Sequence, residues 1–192
     1  MFKMMTINEN RKIEIEKNVE QFCGDCIFSG NGPIDVVAIA RKKGFVVQRL
    51  NMDKDTTGML LYSASNNISG LDTNKLIVIK KGLPEEQSRL ILAHELGHYS
   101  LLSEKNPFIA HRTYSHLKKS TIEQDADYFA RALLMPKERV NRLINNLKAH
   151  NCDDNEIIQE IAKNFNVTET KAKTRFYELE QGTIGNEMDN KN

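Results

Sequence analysis

The 192-residue sequence carries no excess of either charge: 27 Lys and Arg stand against 26 Asp and Glu, a formal net charge of +1. A protein that held nucleic acid mainly through its phosphates would be more basic or would show a basic patch, so the charge balance points to no such partner. No apolar run approaches the roughly 20 residues that span a bilayer. Met1 to Lys17 is polar and charged, without the apolar centre of a signal peptide. Three cysteines, an odd number in a chain of this size, do not make a disulfide framework. These absences set the expectation of a cytoplasmic protein with no membrane segment. What is present, 40% apolar and 28% charged residues, suits a globular domain with its own core.

The spacing allows a helix from about Asn8 to Gln21, and Phe22-Cys23-Gly24-Asp25-Cys26 follows it. A Cys-x-x-Cys pair invites a redox or zinc reading. No second pair follows and no βαβ pattern surrounds it, so Cys23 and Cys26 read as ordinary thiols near a turn. Ser29 to Pro33 is a break, and Pro33 suits the first position of a helix running from Ile34 to Lys43 with a stop at Gly44. Phe45 to Leu50, Gly58 to Tyr62 and Lys75 to Lys80 read as strands, the last two joined by a Ser-, Asn- and Gly-rich hairpin loop from Ser63 to Asn74. Strands so close in sequence predict a small, largely antiparallel sheet.

Gly82-Leu83-Pro84-Glu85-Glu86 starts the next helix, with two acidic residues where the helix dipole favours them. This helix carries His94-Glu95-Leu96-Gly97-His98. Positions i and i+4 lie on one helix face, so His94 and His98 can present two imidazoles to one metal ion. Zn²⁺ is the usual choice for such ligands, and the same donors accept Mn²⁺ or Fe²⁺. Glu95 is placed to reach a metal-bound water, as the general base of a metal-dependent peptidase does. Gly97 costs about 1 kcal/mol of helix propensity, which suggests that a neighbouring backbone or a substrate needs the space.

Ser103 to Ser120 reads as irregular and polar. A second helix follows, capped by Thr121 and ended by Pro136. On it Glu123 and Asp127 share a face. One carboxylate can complete the metal site, and the other can accept the N–H of a ligand histidine and so orient the ring. Two histidines and one carboxylate leave a fourth coordination position for water.

With Glu123-x-x-Ala126-Asp127-x-Phe129-Ala130 and Leu133-Leu134-Met135-Pro136 following the histidine motif, the chain resembles the ImmA/IrrE family of metallopeptidases, gluzincin-like zinc endopeptidases, over about Pro33 to Leu179. The resemblance implies His94, His98 and Glu123 as metal ligands, Glu95 as the catalytic base and Asp127 as the residue orienting His94. Asp125 is a rival carboxylate, but two positions from Glu123 it faces elsewhere. The resemblance also implies the partner. Family members typically cleave a helix-turn-helix repressor to relieve repression, in a mobile element or a stress-response locus.

The expected fold is therefore α+β: a three-stranded, largely antiparallel sheet packed with a zincin-type two-helix metal site, followed by C-terminal helices. Residues 1–30 form an N-terminal extension, 31–150 the peptidase domain, 151–180 a helical segment completing it, and 181–192 a disordered tail. In that segment Glu156 to Phe165, a turn at Asn166-Val167 and a helix capped by Thr168 outline a helix-turn-helix. Lys171, Lys173 and Arg175 on its second helix suggest DNA, but Glu169, Glu178 and Glu180 offset them, and packing or partner docking is preferred to direct nucleic-acid binding. The oxyanion of a tetrahedral intermediate needs a stabilising group besides the metal, and Tyr99, His111, Arg112, Tyr114 and His116 are the candidates. Two other functions remain open: a metal-binding sensor or anti-repressor that acts by binding without proteolysis, and a DNA-binding regulator.

Overall fold

The computed structural model describes residues 7–24, 32–68, 70–114 and 120–189, with side chains outside the description at 114 and 181–189. Cys26 and His116 lie outside the described residues, as does the side chain of Tyr114. In chain order the elements are α1 (Glu9–Cys23), α2 (Val36–Lys42), β1 (Val46–Leu50), β2 (Thr56–Ser63), β3 (Lys75–Lys80), α3 (Glu85–Leu102), β4 (Phe108–Tyr114), α4 (Thr121–Leu134), α5 (Lys137–Ala149), α6 (Asp154–Phe165) and α7 (Glu169–Asp189). None of the described helices is long and apolar enough to cross a membrane.

The sheet has four strands, not the expected three, in the order β1-β3-β2-β4. The β2–β3 and β2–β4 pairs are antiparallel, and β1 runs parallel to β3. The added strand, β4, occupies part of the stretch that reads as irregular. Its alternation is real, but Ile109, His111 and Thr113 face α3, and two of those three are polar because they belong to the site. The outward residues Phe108, Ala110 and Arg112 are exposed. A strand whose buried face is mostly polar gives little hydrophobic signal.

Leu60, Ile77 and Ile79 line the inner face of the sheet and join Leu92 and Leu96 of α3 in one core cluster. Helix α4 packs on the other side of α3, where Ala126, Phe129, Ala130 and Leu133 are wholly buried. The cap of α4 is Ser120, not Thr121: its hydroxyl accepts from the N–H of Glu123. The geometry requires this, since the capping side chain must reach the third helical N–H and Thr121 is already the first helical residue.

Helix α1 packs on α4 through Ile15, Val19 and Phe22, which are buried and contribute about 1.5–3 kcal/mol each. Helix α6 opens with a reciprocal cap between Asp153 and Glu156 and ends at Asn166, whose φ of 49° turns the chain into α7. Helix α7 extends to Asp189 and so includes most of the 181–192 stretch that composition reads as unstructured.

Candidate metal centre

Three side chains from two helices converge at the face of the sheet. His94 and His98, one turn apart on α3, bring their Nε2 atoms to 3.0 Å of each other. From the first turn of α4, Glu123 places one carboxylate oxygen 3.2 Å from His94 Nε2 and the other 3.2 Å from His98 Nε2. A tetrahedral zinc ion about 2.0–2.1 Å from each of three donors would hold them about 3.3–3.4 Å apart. The two histidine nitrogens are 3.0 Å apart, the two 3.2 Å contacts reach different oxygens of Glu123, and one donor from each residue lies within 4.8 Å of the others, close enough to converge on one ion.

The chemistry of the donors fits as well. His94 Nδ1–H donates to Asp127 Oδ1 at 2.9 Å, and an ionised carboxylate can only accept. That bond leaves the His94 Nε2 lone pair pointing into the triangle. Burial depresses the pKa of His98, outweighing the hydrogen bond to Glu123 that raises it, so its ring is held neutral, as a metal ligand must be. Burial alone would raise the Glu123 carboxyl. Its contacts with His111, His94 and His98 instead hold it far below the usual carboxylate range.

Two packing features make the convergence possible. A β-carbon at Gly97 would lie 3.2 Å from the backbone of Ala126 and 3.1 Å from the Phe129 ring, so the glycine lets α4 approach α3 at the level of the ligands. Ser120, by capping α4, sets the helix start from which Glu123 projects. Asp125, the rival carboxylate, points elsewhere and pairs with Arg11 of α1 at 2.8 Å.

Glu95 is wholly buried beside the triangle. Thr113 Oγ1–H donates to its Oε1 at 2.7 Å. Its Oε2 is buried without a hydrogen-bond partner among the described residues, and His111 Nδ1 stands 3.6 Å away.

Among the described side chains, the candidates for oxyanion stabilisation separate cleanly. His111 is at the site: its ring stacks on His98 with centroids 3.7 Å apart, and its Nε2–H donates to Glu123 Oε1 at 2.8 Å. Burial would lower its pKa, but Glu123 and Glu95 raise it to about 9. Tyr99 is not at the site. It sits among Phe22, Phe45 and Tyr62 and accepts from Lys75 Nζ at 2.8 Å. Arg112 lies on the opposite face of the sheet, in a groove of about 460 Å³ with Met59 and Asp53. Sequence reasoning missed Thr113 and Gly58. Neither carries a local signal in the sequence, since the inward residues of β4 are mostly polar and Gly58 meets Thr113 only through the pairing of β2 with β4.

A family model, that of the IrrE N-terminal-like domain of peptidases, matches residues 40–177. No curated protein matches the chain. Among solved structures, a Mycobacterium tuberculosis transcriptional regulator is similar at 14% identity and a TM-score of 0.46, over 86% of this chain and 46% of that one. The chain thus spans about half the length of that structure.

Proposed function

Since the chain belongs to the peptidase family of IrrE N-terminal-like domains, we propose that it is a zinc-dependent endopeptidase with His94, His98 and Glu123 as metal ligands and Glu95 as general base. The observation that carries this reading is the convergence of His94, His98 and Glu123, one donor from each lying within 4.8 Å of the others, with the buried Glu95 carboxylate beside them, one oxygen bonded by Thr113 and the other 3.6 Å from His111 Nδ1. Zinc bound there supplies Lewis acidity towards the scissile carbonyl and lowers the pKa of a water to about 7. Glu95 Oε2 accepts the proton of the attacking water and delivers it to the leaving amine. Asp127 fixes the tautomer and direction of His94. His111, on the strand that faces the site, is the group that donates to the developing oxyanion.

The substrate in this reading is a protein, a helix-turn-helix repressor cut at one peptide bond so that repression is relieved. The repressor is the partner that the family resemblance implies. Residues 31–150 supply the peptidase unit, and α6 and α7 complete it. A DNA-reading role for α7 gains no support from its cations: Arg175 is wholly buried, Lys171 is partly buried, and only Lys173 is exposed.

The test is incubation of the purified protein, with its metal content measured by mass spectrometry, with the helix-turn-helix regulator encoded beside its gene. One zinc per chain is expected, with a single cleavage by the wild type that Glu95→Gln abolishes. Binding of the regulator without cleavage by the wild type would instead make the protein an anti-repressor. Cleavage that survives Glu95→Gln would remove Glu95 from the role.

A further inference from the structure

We propose that Thr113 is a positioning residue: with Gly58 it fixes the Glu95 carboxylate so that Oε2, and not Oε1, takes the proton. This rests on the peptidase reading above. Gly58 of β2 and Thr113 of β4 are direct partners across the antiparallel pair and together form the floor beneath Glu95. A β-carbon at Gly58 would fall 2.6 Å from Glu95 Oε1 and 2.5 Å from Ile91 Cγ2. The carboxylate therefore rests directly against the β2 backbone, in space that only glycine leaves open. Beside that space the Thr113 hydroxyl donates to the same Oε1 at 2.7 Å.

The two oxygens of one carboxylate thus have different surroundings. Oε1 is enclosed by Gly58 and hydrogen-bonded by Thr113. Oε2 is fully buried and makes no hydrogen bond among the described residues; His111 Nδ1 stands 3.6 Å from it. A separation of 3.6 Å is too long for a hydrogen bond, so Oε2 is the oxygen still able to accept one. The hydrogen bond draws electron density from Oε1 and stops the carboxylate rotating about its last torsion, which is soft in a glutamate. Thr113 is suited to this because a β-branched side chain is stiff about χ1 and because the strand fixes its backbone.

The test has two arms, read on full-length protein. Thr113→Val keeps the shape and strand preference but removes the donor, and Thr113→Ser restores it. In the first arm, with zinc-loaded protein and the same regulator as substrate, Thr113→Val should lower kcat about 10- to 100-fold. KM and zinc content should stay at wild-type values, and Thr113→Ser should recover kcat to within about threefold. A purely structural threonine would lower Tm and leave kcat per folded molecule unchanged, and that result overturns the proposal.

The second arm needs no activity. Thermal unfolding of chelator-treated wild type, Thr113→Val, Glu95→Met and the double variant forms a cycle. The double variant should lose less Tm than the sum of the two single losses. Additive losses overturn the proposal. If the wild type fails to cut the regulator while the cycle is non-additive, the peptidase reading falls and the hold of Thr113 on Glu95 stands.

Discussion

Asp127 Oδ1 accepts a hydrogen bond from His94 Nδ1 at 2.9 Å, and through that contact α4 determines which nitrogen of an α3 histidine faces His98 and Glu123. Partners of this kind are typically worth 10- to 100-fold in metal affinity. What His94 needs is an acceptor, not a charge. Asp127→Asn, which can turn its amide oxygen to the ring, should keep zinc affinity within about tenfold of wild type, whereas Asp127→Ala should lose 10- to 100-fold. Competition with a chromogenic chelator measures both. Equal losses in the two variants would mean that the negative charge, not the orientation, matters.

Gly97→Ala sets two effects against each other. Alanine gains about 1 kcal/mol of helix propensity. Its methyl, however, would meet the Ala126 backbone at 3.2 Å and the Phe129 ring at 3.1 Å, and overpacking of a tight core costs about 1–3 kcal/mol. The nearest atoms include backbone of a buried helix, which has little room to retreat, so the clash should win. The expected result is a modest loss of Tm with a disproportionate loss of zinc affinity, because Glu123 moves with α4 while His94 and His98 stay on α3. Unchanged zinc affinity would show that the interhelical spacing is not what sets the triangle.

Helices α3 and α4 were legible in the sequence because their signals are local. His94 and His98 share a face by spacing alone, and Glu123 and Asp127 do so on the next helix. The strands β1, β2 and β3 were legible from their apolar runs. Strand β4 was not, since its inward residues His111 and Thr113 serve the site and erase the hydrophobic alternation. For the same reason neither Thr113 nor Gly58 could be read as part of the site. Their meaning lies in a cross-strand pairing, 55 positions apart in the chain, that only the fold creates. Choosing His111 over Arg112 depended on which sheet face each side chain takes, which follows from register, and Tyr99 drops out because from α3 it packs among Phe22, Phe45 and Tyr62.

Helix α1 precedes the family match, which begins at residue 40, yet it neutralises a charge in the core. Arg175 of α7 is wholly buried. Its guanidinium lies 2.6 Å from Glu16 Oε1 of α1, and its Nε–H donates to the Met135 carbonyl at 3.0 Å. Glu16 also accepts from Tyr128 Oη–H at 2.9 Å. Breaking a buried pair by removing one partner costs about 3–5 kcal/mol. Glu178, 3.9 Å from the same guanidinium, should soften the loss to the lower end. Glu16→Ala should therefore lower stability by about 3 kcal/mol in denaturant unfolding, without touching zinc affinity. Glu16→Leu combined with Arg175→Met should recover most of it, because an apolar pair leaves no charge unpaired.

The last prediction concerns pH in the metal-free protein. Burial would lower the His111 pKa, but Glu123 and Glu95 raise it to about 9, above the ordinary histidine value of about 6.5. A base whose pKa is raised on folding stabilises the native state fully below the unfolded value. That contribution fades as pH climbs through the folded one. Chelator-treated protein should thus lose Tm between about pH 6.5 and pH 9, and His111→Gln should flatten the slope. With zinc bound, the Glu123 carboxylate is engaged by the ion and gives His111 less to hold its proton. The same pH series on zinc-loaded protein should therefore be shallower, and equal slopes with and without zinc would count against Glu123 as a metal ligand.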